Sequence, residues 1–179
     1  MTEAPLAAVD AMREVEREVG HATCVVIAHG LAVLGVGLVA GVGLVFSLLD
    51  AVALWPMPAW EVSIPGSTRG WQAAHVGGIT NGMLLVLLAL TFQPLALERA
   101  RARWLTWALI ITGWGNTIFY WAGNLAPNRG LSVGDTIHGA GDFAGALAYF
   151  GGAAAMLALF CTVGVLLKAS VDRLANRTD

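Results

Sequence analysis

Long apolar stretches separated by short polar segments dominate the sequence. Four of these stretches, at about 22–49, 71–97, 104–126 and 143–167, contain no Asp, Glu, Lys or Arg. Each is long enough for a helix that crosses a bilayer, which needs about 20 apolar residues. The pattern therefore predicts an all-α membrane protein, with a four-transmembrane-helix bundle in residues 22–168.

The segment before the first stretch, residues 1–21, has a different pattern. Seven of its 21 residues are charged, and apolar residues recur at close to helical spacing, at Val9, Met12, Val15 and Val19. This amphipathic pattern predicts a short helix that lies on the membrane surface. The segment is too acidic to be the n-region of a cleavable signal peptide, so the first span is expected to stay in the mature protein. Residues 169–179 are expected to form a cytoplasmic tail.

Composition and charge agree with a membrane protein. Hydrophobic residues make up 57% of the chain and charged residues only 12%, whereas soluble domains average about 25% charged residues. The formal net charge of -2 and the lack of a basic patch argue against nucleic acid as a partner.

The cations predict the orientation. Arg69 and Arg129 lie on one side of the four predicted spans. The other eight of the ten Lys and Arg residues lie on the opposite side, at Arg13, Arg17, Arg99, Arg101, Arg103, Lys168, Arg173 and Arg177. By the positive-inside rule, both termini are cytoplasmic, and the protein is expected to be a multi-pass protein of the cell membrane.

Polar residues within the predicted spans gather in the outer half of the bundle. His75 and Asn81 lie in the first half of the second span, and Asp142 lies at the start of the fourth, close to His138. The third span carries polar residues at intervals of four, on one slowly drifting helix face, at Thr112, Asn116, Tyr120 and Asn124. Because polar groups at membrane depth are costly unless paired, the distribution predicts a polar pocket there.

Each of these residues also has a structural explanation. An intramembrane histidine or asparagine often only links two helices, and Asp142 is placed to cap the fourth helix. The GxxxG pair Gly37 and Gly41 allows two helices to approach closely. Gly77 and Gly78 beside His75 favour a ligand role for the histidine, because a planar macrocycle needs a helix face without side chains. With few carboxylates in the membrane, chemistry here requires a cofactor.

Three segments resemble one known family. "PGSTRGWQAAHVGGITNGM" (65–83), "GWGNTIFYWAGNLAPNRGL" (113–131) and "GAGD" (139–142) are similar to segments of the styrene oxide isomerases, small four-span membrane proteins. The resemblance implies a homotrimer that binds haem b at subunit interfaces. It also implies an isomerase that converts an aryl epoxide into an aldehyde by the Meinwald rearrangement, with ferric iron as the Lewis acid and no net redox change.

The resemblance assigns roles to individual residues. His75 matches the axial ligand of the haem iron, and Asn81 and Tyr120 match residues that hold the substrate and are expected to be catalytic. Gly78 and Asn116 are expected beside the cofactor.

The remaining residues of the expected site are less defined. Arg129 either pairs with a haem propionate or is a solvated loop arginine, and Thr112, Asn124 and Asp142 are expected to line the substrate pocket. At Thr112 the family enzyme carries an aspartate, whose charge and acceptor strength threonine cannot supply. Either that aspartate is not essential, or this protein has a different substrate, rate or role.

Two other functions stay open from the sequence. A membrane haem b electron-transfer protein needs a second axial ligand, and His138 is the plausible histidine on that side. A non-enzymatic membrane protein would use the polar stripe only to pack helices. The expected partners are a small apolar epoxide, membrane lipid and further copies of the chain.

Overall fold

The computed structural model describes residues 3–176 of the chain. Within that range the chain forms four helices and a two-stranded antiparallel sheet, in the order α1 (Glu3–Leu49), β1 (Ala51–Val52), β2 (Trp60–Glu61), α2 (Thr68–Ala89), α3 (Arg99–Leu125) and α4 (Phe143–Ala175). The predicted all-α class is confirmed for this part of the chain. Arg177, one of the eight cations counted above, and the last residues of the predicted tail lie outside it.

Each helix runs antiparallel to the one before it. α1 and α2 meet along glycines, with Gly30 against Gly82 and Gly37 against Gly78. α3 packs against the three other helices, whereas α4 contacts only α3 among the described helices. α3 is therefore the central element of the bundle, and α4 has one covered face.

α1 is an unbroken helix of 47 residues. At about 1.5 Å per residue it is roughly 70 Å long, more than twice the thickness of a hydrocarbon core of about 30 Å. The separate surface helix predicted within residues 1–21 is not formed, because the described part of this segment is continuous with the rest of α1. Met12 is exposed there, whereas Val19 is buried. An ion pair joins Glu18 to Arg99 at the start of α3.

Three of the described helices are long and apolar enough to cross a membrane, and they comprise Val9–Leu49, Thr68–Ala89 and Phe143–Ala175. α3 has 27 residues and is long enough, but its polar stripe and the arginines of its first turn lower its hydropathy. Three of the four predicted spans are thus supported by length and composition.

α2 ends earlier than the predicted second span. The helix stops at Ala89, and residues 90–96 form turns that lead towards α3. Pro94 lacks the amide hydrogen that a continued helix needs, and Ala96 adopts a left-handed conformation with φ of 48°. Phe92 within this connection is fully buried, so the turn is part of the core.

The hydrophobic core lies at the end of the bundle where α2 ends and α3 begins. It includes buried side chains from all four helices and from the α2–α3 connection, among them Val26, Leu85, Phe92, Leu105, Leu109 and Leu166. The opposite end, where α2 begins and α3 ends, carries most of the polar side chains that the sequence singled out.

Candidate functional site

His75 lies in the seam between α1 and α2. Its Nδ1 is 2.9 Å from the backbone oxygen of Gly37. A carbonyl oxygen only accepts hydrogen bonds, so Nδ1 carries the hydrogen and donates it. In the neutral ring Nε2 then has a free lone pair, which is the form of histidine that binds a metal.

The glycines beside His75 pack against protein. A Cβ at Gly78 would lie 2.5 Å from Cα of Gly37, and a Cβ at Gly77 would overlap the ring of Tyr120. In the described chain α1 covers Gly78 and Tyr120 covers Gly77, so neither glycine presents a bare face, and the expected place of Gly78 beside a cofactor stays a prediction. Gly78 instead allows the close approach of α1 and α2 that brings Gly37 within reach of His75.

Asn81, Asn116 and Tyr120 come together between α2 and α3. Asn116 Nδ2 donates to Asn81 Oδ1 at 2.7 Å, and Asn81 Nδ2 donates to the carbonyl of Gly77 at 2.7 Å. The ring of Tyr120 lies against Cα of the same glycine. Gly77 is thus the point where the predicted catalytic residues meet, and Asn81 keeps one amide hydrogen without a partner among the described residues.

His75 faces away from this cluster. An α-helix turns about 100° per residue, so Asn81, six residues later, lies about 120° around α2 from His75. Accordingly His75 contacts α1, whereas Asn81 contacts α3. The predicted single pocket is therefore not assembled within one copy of the chain. It is divided between two faces of α2.

An open cavity of about 590 Å³ lies between the start of α2, the end of α3 and the segment 126–138. Its polar lining includes Tyr120, Asn124, Arg129 and His138. The hydroxyl of Tyr120 makes no hydrogen bond within the described part of the chain. Three residues of the predicted polar pocket, Tyr120, Asn124 and His138, line this cavity, whereas His75, Asn81, Asn116, Thr112 and Asp142 do not.

Asn124 lines the cavity and also makes a structural hydrogen bond. Its Oδ1 accepts a hydrogen bond of 2.8 Å from the backbone N–H of Ser67. The amide lies so close to Gly66 and Gly70 that a Cβ at either glycine would overlap it. Ser67 is the N-cap of α2, so Asn124 also fixes where α2 begins.

The cavity carries positive charge at its rim. Arg69 and Arg129 both line it, and neither forms an ion pair with any described residue. Arg129 is exposed and adopts a left-handed conformation with φ of 60°. No described acidic side chain neutralises either arginine, so both are available to bind an anionic ligand.

Thr112 does not belong to the cluster. Its side chain is fully buried, and its hydroxyl donates to Ala108 O at 2.8 Å and approaches Ala155 O of α4 at 3.5 Å. The predicted stripe drifts by about 40° every four residues, so Thr112 faces α4 while Asn116 faces α2. The structure places Thr112 at a packing position between α3 and α4, and its expected place in a substrate pocket stays a prediction.

Asp142 is the N-cap of α4. Its Oδ1 accepts a hydrogen bond of 2.7 Å from the backbone N–H of Gly145. It contacts none of the polar cluster between α2 and α3, so the capping explanation is confirmed, and the structure does not bring Asp142 to the expected pocket.

The side chains that could bind a metal determine which kind of cofactor the chain can hold. No group of three or more His, Cys, Asp or Glu side chains that could bind a metal ion is present among the described residues. A porphyrin brings four nitrogen ligands of its own and needs only an axial ligand from the protein. His75, with its oriented ring and free Nε2, suits that need.

The other histidines lie elsewhere. His29 Nδ1 accepts a hydrogen bond of 3.0 Å from Trp114 Nε1, which links α1 to α3. His138 is exposed and lines the cavity beside α3, whereas His75 faces α1. One copy of the chain does not bring His75 and His138 to a shared metal.

Sequence reasoning missed the surroundings of His75. The GxxxG spacing of Gly37 and Gly41 indicated a close helix contact but not its partner. A Cβ at Gly41 would lie 2.6 Å from His75 Nδ1, so both glycines of that motif touch the predicted ligand. The spacing of small residues was the one available signal.

Comparisons with known proteins show the family of the chain. Residues 23–171 match the sequence profile of the family described as styrene oxide isomerase. A styrene-oxide isomerase from Pseudomonas fluorescens is 36% identical over 135 residues, which cover 73% of this chain and 80% of the relative. The matched range includes all of α2 and α3 and every polar residue of the cluster and the cavity.

Proposed function

The chain belongs to the styrene oxide isomerase family, and from this premise we propose that it is an epoxide isomerase of the cell membrane. The observation that carries the proposal is the 36% identity to a relative of that activity over most of both chains. The contacts of Asn81 and Tyr120 with Gly77, and of Asn116 with Asn81, are consistent with it.

The proposed membrane arrangement has four spans and cytoplasmic termini. Its support is the three apolar helices and the central position of α3 among the others. A central helix tolerates a polar stripe because neighbouring helices shield it from lipid. The unequal distribution of Lys and Arg supports the orientation.

The proposed cofactor is haem b, with His75 Nε2 as the axial ligand. The hydrogen bond from Nδ1 to Gly37 supports this role because it fixes the tautomer that a metal needs. Bound ferric haem would supply a Lewis acid that polarises the C–O bond of an epoxide. Arg129, and by the same reasoning Arg69, offers a counter-ion for a propionate.

The side chains between α2 and α3 act on the substrate in this proposal. The phenol of Tyr120 and the free amide hydrogen of Asn81 donate hydrogen bonds to the epoxide oxygen as its negative charge grows. The benzylic C–O bond breaks, because the aromatic ring stabilises the resulting cation, and a hydride then moves from the neighbouring carbon. An aldehyde results, and no atom or electron is exchanged with another reactant.

The division of the site between two faces of α2 supports a homotrimer. His75 of one copy and Tyr120 of another can face a common space only where two copies meet. A trimer would bring each histidine to a neighbouring copy's cavity and would cover apolar surface that the single chain exposes, on α4 above all.

The test is an absorption spectrum of the detergent-purified protein before and after addition of styrene oxide, with phenylacetaldehyde assayed in the same sample. We expect a haem Soret band that shifts on addition and aldehyde that accumulates without added reductant. A His75→Ala sample is the negative control, and Thr106→Val is a matched control because Thr106 bonds only its own helix, at Ala102 O.

The outcomes separate the alternatives. Aldehyde without any haem absorbance would keep the isomerase and reject the cofactor. Haem without aldehyde from any aryl epoxide would overturn the isomerase. Haem that is low-spin and bis-histidine would favour an electron carrier.

A further inference from the structure

We propose that Gly41 is a positioning residue for His75: its missing side chain lets the imidazole lie against α1, where Gly37 fixes the tautomer. The inference rests on the proposed function in one respect, because the positioned atom, Nε2, is the proposed haem ligand. The ring position itself can be tested without haem.

The contact between Gly41 and the imidazole is direct. A Cβ at Gly41 would lie 2.6 Å from Nδ1 and 2.7 Å from Cε1 of His75. Carbon and nitrogen atoms that are not bonded do not approach so closely, so any side chain at Gly41 displaces the ring. Gly41 is the residue on α1 that makes room for the histidine.

The acceptor of the hydrogen bond lies one helical turn before Gly41. In an α-helix the carbonyl of Gly37 accepts from the N–H of Gly41, and its second lone pair is free for another donor. His75 Nδ1 uses that lone pair at 2.9 Å. The imidazole of His75 therefore lies against Gly41 and donates to Gly37. A side chain at Gly41 would push the imidazole away, and this movement would also lengthen the hydrogen bond to Gly37.

The geometry has a chemical consequence. With its hydrogen held on Nδ1, the ring keeps the lone pair on Nε2 and a defined plane, as the partners of metal-binding histidines commonly ensure. Loss of such a partner usually lowers metal affinity or activity by about 10- to 100-fold. Gly41 is expected to act on haem affinity by this route, without touching substrate.

The chain offers a matched control on the same helix. Gly35 lies six residues before Gly41 in α1, and a Cβ there would meet nothing within 4 Å. Gly35→Ala and Gly41→Ala thus make the same chemical change in the same helix, one into open space and one into the imidazole. Gly37→Ala is a poorer probe, because its Cβ would overlap the backbone of Gly78 and Ile79 and would separate α1 from α2.

The first measurement is the nitrogen NMR spectrum of the histidines in the haem-free protein, with His75 assigned by its loss in His75→Ala. We expect the Nδ1–H tautomer in the wild type and in Gly35→Ala. In Gly41→Ala the hydrogen is no longer held on Nδ1, so the Nε2–H form appears. An Nε2–H signal in the wild type, or identical spectra for the two alanine variants, would overturn the proposal.

The second measurement is titration of the haem-free proteins with hemin. Gly41→Ala is expected to bind about 10- to 100-fold more weakly than the wild type, and Gly35→Ala to bind within about twofold of it. Equal affinity for both variants would contradict the positioning role. If the wild type itself binds no hemin, the proposed cofactor fails, and the tautomer still decides the role of Gly41.

A double-mutant cycle covers the case in which Gly41→Ala damages the bundle in general. The thermal midpoint is measured for Gly41→Ala, His75→Ala and the double variant. If the imidazole is what the new methyl group meets, the loss caused by Gly41→Ala shrinks when His75 is already alanine. An equal loss in both backgrounds would assign Gly41 to helix packing alone.

Discussion

The two long faces of α2 differ in chemistry. The face towards α1 is built from glycines in close contact and carries His75, whose polar partner among the described residues is the backbone carbonyl of Gly37. The face towards α3 carries Asn81, whose amide bonds Asn116 of α3, and Gly77, against which the ring of Tyr120 of α3 lies. The face towards α1 holds Nε2 of His75 in a fixed direction, and the contact with α3 brings several hydrogen-bond donors together.

The difference indicates a separation of tasks along one helix. A metal ligand needs one lone pair and a rigid ring, and glycine seams supply rigidity because backbones in close contact leave little freedom. Donors to a substrate oxygen must already point to the place where charge develops, and the hydrogen bond from Asn116 orients the amide of Asn81. Substitutions on the two faces should therefore separate cofactor binding from turnover.

The largest expected effect is that of His75→Ala. Removal of the imidazole should abolish haem retention, because no other described side chain of the α1 face can replace the ligand. Assembly should be largely unchanged, as judged by size-exclusion chromatography, because the substitution leaves the glycine seam intact. Haem content equal to that of the wild type would show that His75 is not the ligand, and would contradict the separation of tasks between the two faces of α2.

Tyr120→Phe should affect the other face alone. We expect turnover of styrene oxide to fall by about 100-fold, the usual cost of losing one donor to a developing oxyanion. Haem content should match the wild type, because the ring still packs on Gly77. Turnover within twofold of the wild type would remove Tyr120 from the catalytic residues.

Asn116→Leu should act through Asn81. The amide of Asn116 donates to Asn81 Oδ1, and hydrogen bonds between membrane helices contribute about 0.6 kcal/mol on average and up to about 1.7. This range predicts a fall in turnover of about 3- to 20-fold with unchanged haem content. A larger loss in the double variant Asn81→Ala, Asn116→Leu than in Asn81→Ala would show that Asn116 also acts directly.

Arg129→Gln tests whether the cavity rim reaches the cofactor. An exposed ion pair contributes about 0.2–1 kcal/mol, so hemin affinity should fall by about 1.5- to 5-fold. Hemin dimethyl ester, whose propionates are uncharged, should bind the wild type and the variant equally. Equal losses for both porphyrins would refute a propionate contact, and Arg103→Gln at the far end of the bundle is the control.

Thr112→Val should have the smallest effect. Its hydroxyl bonds mainly to its own helix and faces α4, so turnover and haem content should stay within about twofold of the wild type, the spread of a buried but nearly neutral exchange. A large loss of turnover would place Thr112 in the site after all.

Much of the fold is readable from the sequence. Charge-free stretches located the start of α2, the end of α3 and the start of α4 to within about three residues, whereas α3 begins five residues before its stretch and α4 ends eight residues after it. The exceptions have local causes: Pro94 ends α2 before the apolar stretch does, and the acidic residues of α1 do not interrupt its helix. A hydropathy pattern reveals neither of these two causes, because it records solvent preference and not the continuity of the backbone.

The site was readable as a set of residues but not as an arrangement. Asn81, Asn116 and Tyr120 were identified and do meet. Which neighbour a helix face meets depends on packing, so periodicity within α3 grouped Thr112 with residues that face another helix. The same limit explains why Gly78 was assigned to a cofactor when it contacts Gly37.

The length of α1 has a consequence for everything attached to its beginning. If the first span starts near Ala22, the preceding helix from Glu3 rises roughly 30 Å, and the Glu18–Arg99 ion pair braces it against the bundle. This helical segment would hold the beginning of α1 at a fixed distance from the membrane. A fluorophore at residue 10 would then report a longer and narrower distribution of distances to lipid dyes than one on a flexible tail of the same number of residues.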